Sequence, residues 1–347
     1  MELDLDTFLT IVYCVVDDIY QEQIAPQRPV RPGAKPDLSD SEALCLALLA
    51  QSQGRRSENA FVRHVVQRWR GYFPHLTTQS ALNRRFRDRC GALCWLGPAV
   101  AERAERQFGL PRGYEVTDGV PVPLLRRCRA NRQRWFGPEA GIGVGGSDKV
   151  WYFGVRLLLM VTRAGFISGW AEGPANTGER WILEALLRWR KHPEAGPPTA
   201  AELAEVLGPS HQPGGERLGP TGPIAPWLGV GAAREEPCLG DLGFRGEAWQ
   251  RHWREGYGVA VLTKGDFSPT ASPEDLRQSR KWFSGLRQVV ETVNGRLEEM
   301  LGLWYPRARS YWGLLTRLAA KVAAFNVAVY CNCLTGRPPL ALFDPLA

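Results

Sequence analysis

The stretch VWYFGVRLLLMVTRAGFISGWA, residues 150–171, decides the fold of this 347-residue chain. Its two halves, Val150–Val161 and Phe166–Ala171, are rich in aromatic and β-branched residues, and a short Arg-Ala-Gly turn separates them. This pattern predicts a β-hairpin. The chain is longer than the roughly 250 to 300 residues at which one core usually stops growing, so we expect one large domain with an appendage, or two domains.

Further strands are predicted on both sides of the hairpin. Gly113–Thr117 is a short strand candidate that ends at Asp118, and Cys238–Leu239 closes another strand just before Asp241. Tyr257–Thr263 is the last strand candidate. Helical patterns separate these strands, so the order is strand, hairpin, helix, strand, helix, strand, helix. An alternation of this kind is typical of an α/β unit.

The flanking regions have a different character. Residues 1–110 are predicted to be helical, and Ser39-Asp-Ser-Glu42 has the pattern of a capping box. Arginines on one face of several helices favour a DNA-binding or dimerisation region, and a plain helical support region fits nearly as well. The core would then comprise residues 111–190 and 238–305. Residues 191–237 form a Pro- and Gly-rich insertion, and residues 306–347 form a C-terminal helix that packs on the core.

The net charge is +7, with 43 basic and 36 acidic residues, which hints at an anionic partner. The distribution is more informative, because the segment from Gly119 to Pro138 contains no acidic residue. Five arginines in this segment are candidate DNA contacts: Arg126, Arg127, Arg129, Arg132 and Arg134. A solvated basic loop and a phosphate-binding surface explain the run equally well.

Composition also excludes several classes of protein. The chain has no uncharged apolar run long enough to span a membrane, and its acidic start lacks the features of a secretory signal. Its eight cysteines are too sparse for a disulfide scaffold and lack the spacing of a zinc site. We therefore expect a soluble cytoplasmic protein without a membrane partner. The glycine run Gly141–Gly146 lacks the Lys-Ser/Thr of a phosphate-binding loop and is predicted to be a flexible turn.

Three carboxylates stand where such a fold would bring them together. Asp118 ends the first predicted strand, and Asp241 follows a later one. Glu291 lies on a helix predicted from about Gly285 to Leu301, whose apolar residues recur at spacings of three and four. The same spacing forms a polar row beside the apolar face: Arg287, Glu291, Asn294 and Glu298.

Carboxylates that meet at one edge of a sheet are suited to binding two hard divalent cations, Mg²⁺ or Mn²⁺. Two such ions activate a water or a 3′-hydroxyl and stabilise the leaving oxygen of a phosphodiester. Alternatively, Asp118 and Asp241 are turn residues, since each stands beside a glycine, and Glu291 is a solvated helix residue. The three acids together, with the strand order and the nearby arginines, favour phosphoryl transfer.

The segments around these acids resemble the DDE transposases of bacterial insertion sequences. They are VTDGVPVP around Asp118, CLGDLGFRG around Asp241 and RQVVETVNGRL around Glu291, with Arg287 four residues before that glutamate. The LSDSEAL and YFPHL segments near the N-terminus are similar to one subgroup of small transposases. The resemblance implies an α/β fold: an RNase H-like catalytic core, with a mixed five-stranded sheet and helices, preceded by an all-helical N-terminal region.

By this resemblance, Asp118, Asp241 and Glu291 are catalytic metal ligands for two Mg²⁺ or Mn²⁺ ions, and Arg287 is a contact of a DNA phosphate or of the active site. It also implies a homodimer in the cytoplasm, associated with the nucleoid, that binds terminal inverted repeats, cleaves the DNA ends and transfers them into target DNA. In one departure, Glu298 stands where many relatives carry lysine. The alternatives are an inactive DNA-binding protein and an RNase H-like nuclease on the same scaffold.

Overall fold

The computed structural model describes residues 4–27, 33, 36–52, 57–145, 149–194, 229–266 and 272–341. The chain divides into two compact units. The helical unit comprises Met1–Phe108 and Arg296–Ala347, and the sheet unit comprises Gly109–Gly295. The two segments of the helical unit come from opposite ends of the chain.

The helical unit is built from six helices in its described part: α1 Leu5–Ile19, α2 Asp40–Ser52, α3 Glu58–Arg68, α4 Gln79–Asp88, α5 Cys90–Phe108 and α9 Tyr311–Leu334. A π-helical turn, Tyr20–Ile24, extends α1. The predicted capping box at the start of α2 is confirmed. The Ser39 amide donates to Glu42 at 2.6 Å, and the Glu42 amide donates to the Ser39 hydroxyl at 3.1 Å.

The last helix differs from its prediction as a helix on the catalytic core. In the structure, α9 packs chiefly against α5 and α2 and therefore belongs to the helical unit. Asn326, which is fully buried, donates to the Gly97 carbonyl of α5 at 2.7 Å. Among the described residues α9 is the one helix long and apolar enough to cross a membrane, and 89% of its apolar window is buried inside the protein. Such burial is consistent with a core helix of a soluble protein.

The sheet unit has the predicted α/β class, with a mixed sheet. Its described strands are β1 Glu115–Arg126, β2 Gly141–Gly145, β3 Val150–Thr162, β4 Ile167–Pro174, β5 Gly229–Val230, β6 Cys238–Leu239 and β7 Val261–Leu262. Their order is β5-β4-β3-β1-β6-β7, and β2 pairs with β3. Strand β3 is antiparallel to both β1 and β4, whereas β6 runs parallel to β1 and β7 runs parallel to β6. The helices are α6 Glu179–Lys191, α7 Glu247–Tyr257 and α8 Pro273–Leu301, whose last turns are grouped with the helical unit.

In the described residues the sheet has seven strands, and β2 and β5 are not among the five that were predicted. The prediction of a flexible turn at Gly141–Gly146 was wrong for the residues that form β2. A side chain at Gly143 would meet the Ala175 carbonyl at 2.5 Å, so this glycine allows close approach of the backbones. The other new strand, β5, lies within the predicted insertion, of which residues 195–228 lie outside the described part.

The first strand extends well beyond its predicted end at Asp118 and reaches Arg126. It pairs with β3 along its whole length, whereas β6 pairs only with Glu115 and Val116. Pro121 and Pro123, which have no backbone N–H to donate, stand beyond the part of β1 that pairs with β6. The sheet therefore opens between β1 and β6 just after Val116.

A buried ion pair fixes α6 to the sheet. Arg190 of α6 donates to Glu115 of β1 at 2.8 Å, and Ser168 of β4 donates to the same carboxylate. Burial alone would raise the pKa of Glu115, but the charges of Arg190 and Arg234 and these hydrogen bonds hold it below its ordinary value. The pair thus anchors the helix whose first residue, Glu179, lies next to the candidate site.

Candidate active site

The parallel pairing of β1 and β6 places Asp118 beside Asp241. The last paired residues are Val116 and Leu239, and each aspartate stands two residues further along its own chain segment. The backbone of Asp241 is still extended, with φ −77° and ψ −177°. Because side chains alternate along extended chain, the two carboxylates lie at the same level, where the two segments begin to diverge.

Helix α8 supplies the partners of Asp118. The Arg287 guanidinium lies 3.6 Å from Asp118 Oδ1, and the Asn294 amide donates to Asp118 Oδ2 at 3.2 Å. The side chain of Asp118 is 24% exposed. This helix begins at Pro273, twelve residues before its predicted start, and buries Val290 and Val293 completely. The apolar stripe thus turns two residues of the predicted polar row, Arg287 and Asn294, towards Asp118.

The third predicted acid, Glu291, lies between Arg287 and Asn294 on α8 and is exposed. Its charge reaches the cluster. The pKa of Asp118 is raised to about 6. Burial is the main cause, the positive charge of Arg287 opposes the rise, and the negative charges of Asp241 and Glu291 contribute to it. The structure therefore brings the three predicted acids and Arg287 into one electrostatic group.

A fourth carboxylate, Glu179, belongs to this group and was missed by the sequence analysis. It is the first residue of α6, and a side chain at Gly119 would collide with its carboxylate. Its Oε1 lies 3.6 Å from the Arg156 guanidinium. The pKa of Glu179 is raised to about 7. Burial is the main cause, the charge of Arg156 opposes it, and the charges of Asp241 and Asp118 contribute to the rise.

An acid in the first turn of a helix is common because it stabilises the helix dipole, so Glu179 carries no signal by itself. The signal lies in the glycines beside the two aspartates. A side chain at Gly243 would come within 3.5 Å of Glu179 Oε2, just as Gly119 leaves room for Oε1. Asp241 in turn accepts a hydrogen bond from the Gly243 amide at 2.7 Å. The two glycines let a carboxylate approach both aspartates.

The donor set of this cluster suits a hard divalent cation, because carboxylate and amide oxygens are the ligands that Mg²⁺ and Mn²⁺ prefer. Asn294 Oδ1 is buried without a hydrogen-bond partner among the described residues, as is Arg287 Nε. In the same part of the chain, no group of three or more His, Cys, Asp or Glu side chains is arranged to hold a metal ion as it stands. Both oxygens of Asp118 are instead engaged by Arg287 and Asn294.

The five arginines of the predicted DNA surface lie apart from the acids. Arg126 ends β1, and the other four, Arg127, Arg129, Arg132 and Arg134, lie on or just after a 3₁₀ helix, Arg127–Arg132. All five are exposed. An extended strand from Asp118 to Arg126 spans about 26 Å, so of the six predicted arginines only Arg287 contacts an acid of the cluster.

Two tryptophans beside this surface are also exposed. Trp135 is 51% exposed and Trp151 is 52% exposed. The Arg127 guanidinium lies over the Trp151 ring, 4.7 Å from its centre. Their neighbours Phe136 and Tyr152 are buried.

No protein-family model matches the chain, and no match was found among curated proteins or solved structures.

Proposed function

We propose that this protein is a metal-dependent DNA transposase of a bacterial insertion sequence, with Asp118, Asp241 and Glu291 as its catalytic acids. One observation carries the proposal. The two aspartates stand at equivalent positions beyond a parallel strand pair, and the acid and the arginine of an adjoining helix act on the same carboxylate. Bringing several carboxylates close together is unfavourable because their charges repel, and such clusters are concentrated at functional sites.

The RNase H-like form of the sheet is part of this proposal. The five strands predicted from the sequence lie in the order β4-β3-β1-β6-β7. The first three form an antiparallel meander, and the last two run parallel to β1. This order supports the proposal because the start of β1, just before Asp118, pairs with β6, just before Asp241.

The side chains of the cluster have distinct roles in the proposed reaction. Asp118, Asp241 and Glu291 would hold two Mg²⁺ or Mn²⁺ ions, which would supply an activated water or 3′-hydroxyl and stabilise the leaving oxygen. Arg287 compensates the charge of Asp118. Glu179 adds negative charge behind the two aspartates.

DNA is the proposed partner, as terminal inverted repeats and as target duplex. The exposed arginines from Arg126 to Arg134 provide phosphate contacts about 26 Å along β1 from Asp118. One turn of B-DNA is about 34 Å long, so a single duplex reaches from the acids to this surface. A homodimer in the cytoplasm, associated with the nucleoid, completes the proposal, since two element ends must be joined to one target.

The test is a cleavage assay on a labelled duplex that carries the ends of the DNA element encoding the protein. Wild type, Glu291→Gln and the control Glu299→Gln, an exposed acid of the same helix, are compared with Mg²⁺, with Mn²⁺ and with a chelator. We expect metal-dependent nicking at the element ends and strand transfer in wild type and the control, and neither in Glu291→Gln. Cleavage that survives in Glu291→Gln or in the chelator would refute the proposed centre.

The same assay separates the two alternatives. Binding without cleavage in every protein would favour an inactive DNA-binding protein. Cleavage of branched or damaged DNA without strand transfer would favour an RNase H-like nuclease.

A further inference from the structure

The helical unit contains a groove of about 740 Å³, a volume within the range of ligand sites. Its walls are formed by α2, α3, α4 and α9, and by the segment Gly302–Ser310 between α8 and α9. The catalytic proposal assigns no role to this groove, which is formed entirely by residues of the helical unit.

The groove is strongly basic. Five basic residues are among those that line it, Arg87, Arg307, Arg309, Arg317 and Lys321, against a single carboxylate, Glu58. That carboxylate is already engaged, because it pairs with Arg317 and accepts hydrogen bonds from Asn83 and Gln79. The groove therefore has an excess of positive charge that favours an anionic ligand.

Two exposed aromatic side chains lie along the same groove. Trp304 is 47% exposed and Tyr305 is 46% exposed, whereas their neighbours Leu303 and Pro306 are buried. The Trp304 indole N–H donates to Glu298 at 2.8 Å, which fixes the orientation of the ring. Glu298, which stands where a lysine was expected, thus positions an exposed aromatic side chain.

Side chains of α9 hold the Gly302–Ser310 segment in its conformation. Arg317 donates to the Pro306 carbonyl at 2.8 Å, and the buried Lys321 donates to the Leu301 carbonyl. Tyr305 and Arg307 adopt positive φ values of 53° and 56°, a region that non-glycine residues rarely occupy. Such backbone strain persists only where surrounding contacts enforce it, and it is concentrated at ligand-binding sites.

We infer that this groove binds a single strand of nucleic acid, with the phosphates on its arginines and the bases stacked on Trp304 and Tyr305. Basic grooves with exposed aromatic rings are the usual means of binding single strands without sequence preference. The inference goes beyond the catalytic proposal, because it assigns a second contact with DNA, and it does not require the carboxylates to be catalytic.

The first test is photo-cross-linking of the full-length protein to a single-stranded oligothymidylate of about 15 nucleotides with 5-iododeoxyuridine substitutions. Trypsin then releases residues 297–307, which include both exposed aromatic residues of the groove. We expect the cross-link on Trp304 or Tyr305 in this peptide. A cross-link confined to other peptides, including those with Trp135 or Trp151, would overturn the inference.

The second test is the affinity of the same strand, measured by fluorescence anisotropy. Trp304→Ala and Arg307→Glu should each weaken binding at least about fivefold, whereas Trp304→Phe, which keeps a ring, should retain it. Arg70→Glu is the control, because it makes the same charge change at an exposed residue that does not line the groove. Equal losses in Arg70→Glu and Arg307→Glu would show that net charge alone attracts the strand and would overturn the inference.

The two proposals fail separately. Metal-dependent nicking with no cross-link in residues 297–307 would refute the groove alone. A cross-link there, in a protein that never cleaves element ends, would leave the groove intact and refute the catalytic proposal.

Discussion

Replacing Asp118 by asparagine should stabilise the protein at neutral and alkaline pH. Burial and the charges of Asp241 and Glu291 raise the pKa of Asp118 from 3.8 to about 6, despite the opposing charge of Arg287. At about 1.4 kcal/mol for each pKa unit, the ionised carboxylate costs the folded state up to about 3 kcal/mol. Asparagine has nearly the same shape without the charge, so we expect the free energy of unfolding to rise by roughly 1 to 3 kcal/mol at pH 8.

The stability gained by Asp118→Asn should increase as the pH rises. Between about pH 4 and pH 6 the folded wild type binds more protons at Asp118 than the unfolded chain does, so its stability falls as the pH rises. Below this window the carboxyl group is protonated in both states, and the advantage of Asp118→Asn disappears. Above it the advantage is complete and constant.

Urea unfolding followed by tryptophan fluorescence, in buffer with a chelator, measures this gain from pH 4 to pH 8. The control is Glu247→Gln on α7, whose carboxylate is 88% exposed and whose removal should change stability by less than about 0.5 kcal/mol. An Asp118→Asn protein that is no more stable than wild type at pH 8, or whose gain persists unchanged at pH 4, would refute the reasoning.

Three further substitutions follow from the same contacts. Glu115→Gln leaves the buried Arg190 without its main counter-charge and should lower the free energy of unfolding by about 3 kcal/mol in a urea titration; wild-type stability would contradict it. Burial lowers the pKa of Lys321 to about 7, so the unfolded chain keeps its proton up to a higher pH and the stability of wild type rises between pH 7 and pH 10. Lys321→Met should therefore stabilise the protein by roughly 2 kcal/mol at pH 6 and by less at pH 10, and a gain that does not depend on pH would argue against a charged lysine at this position. Glu179→Gln should slow metal-dependent DNA cleavage about 10- to 100-fold, and an unchanged rate would place Glu179 outside the catalytic centre.

The sequence predicts the sheet well where local pattern and tertiary environment agree. The hairpin of β3 and β4 is dense in β-branched and aromatic residues, and its strands are buried on both faces over most of their length. The proximity of Asp118 and Asp241 was also predictable in outline, because each aspartate follows a short strand candidate. Pairing, however, needed the structure, since β6 and β7 have only two residues each.

Other features could not be read from local pattern. The glycine run around Gly143 indicates a turn when read alone. Only the structure shows that Gly143 is a strand residue of β2 packed against the Ala175 carbonyl. Helix α8 starts early because Ser272 caps it, with the Asp275 amide donating to the serine hydroxyl at 3.1 Å, although its first turns have no apolar stripe. The extension of β1 past Asp118 depends on β3, whose pairing carries the strand on to Arg126 and so separates the arginine surface from the acids.

The most direct test of the central claim is the binding of Mn²⁺, followed by electron paramagnetic resonance in the absence of DNA. Wild type and Glu299→Gln should bind the ion, whereas Asp241→Asn and Glu291→Gln should each lose it, because these acids are proposed to be its ligands. Mn²⁺ binding of equal strength in Asp241→Asn and wild type would contradict the account.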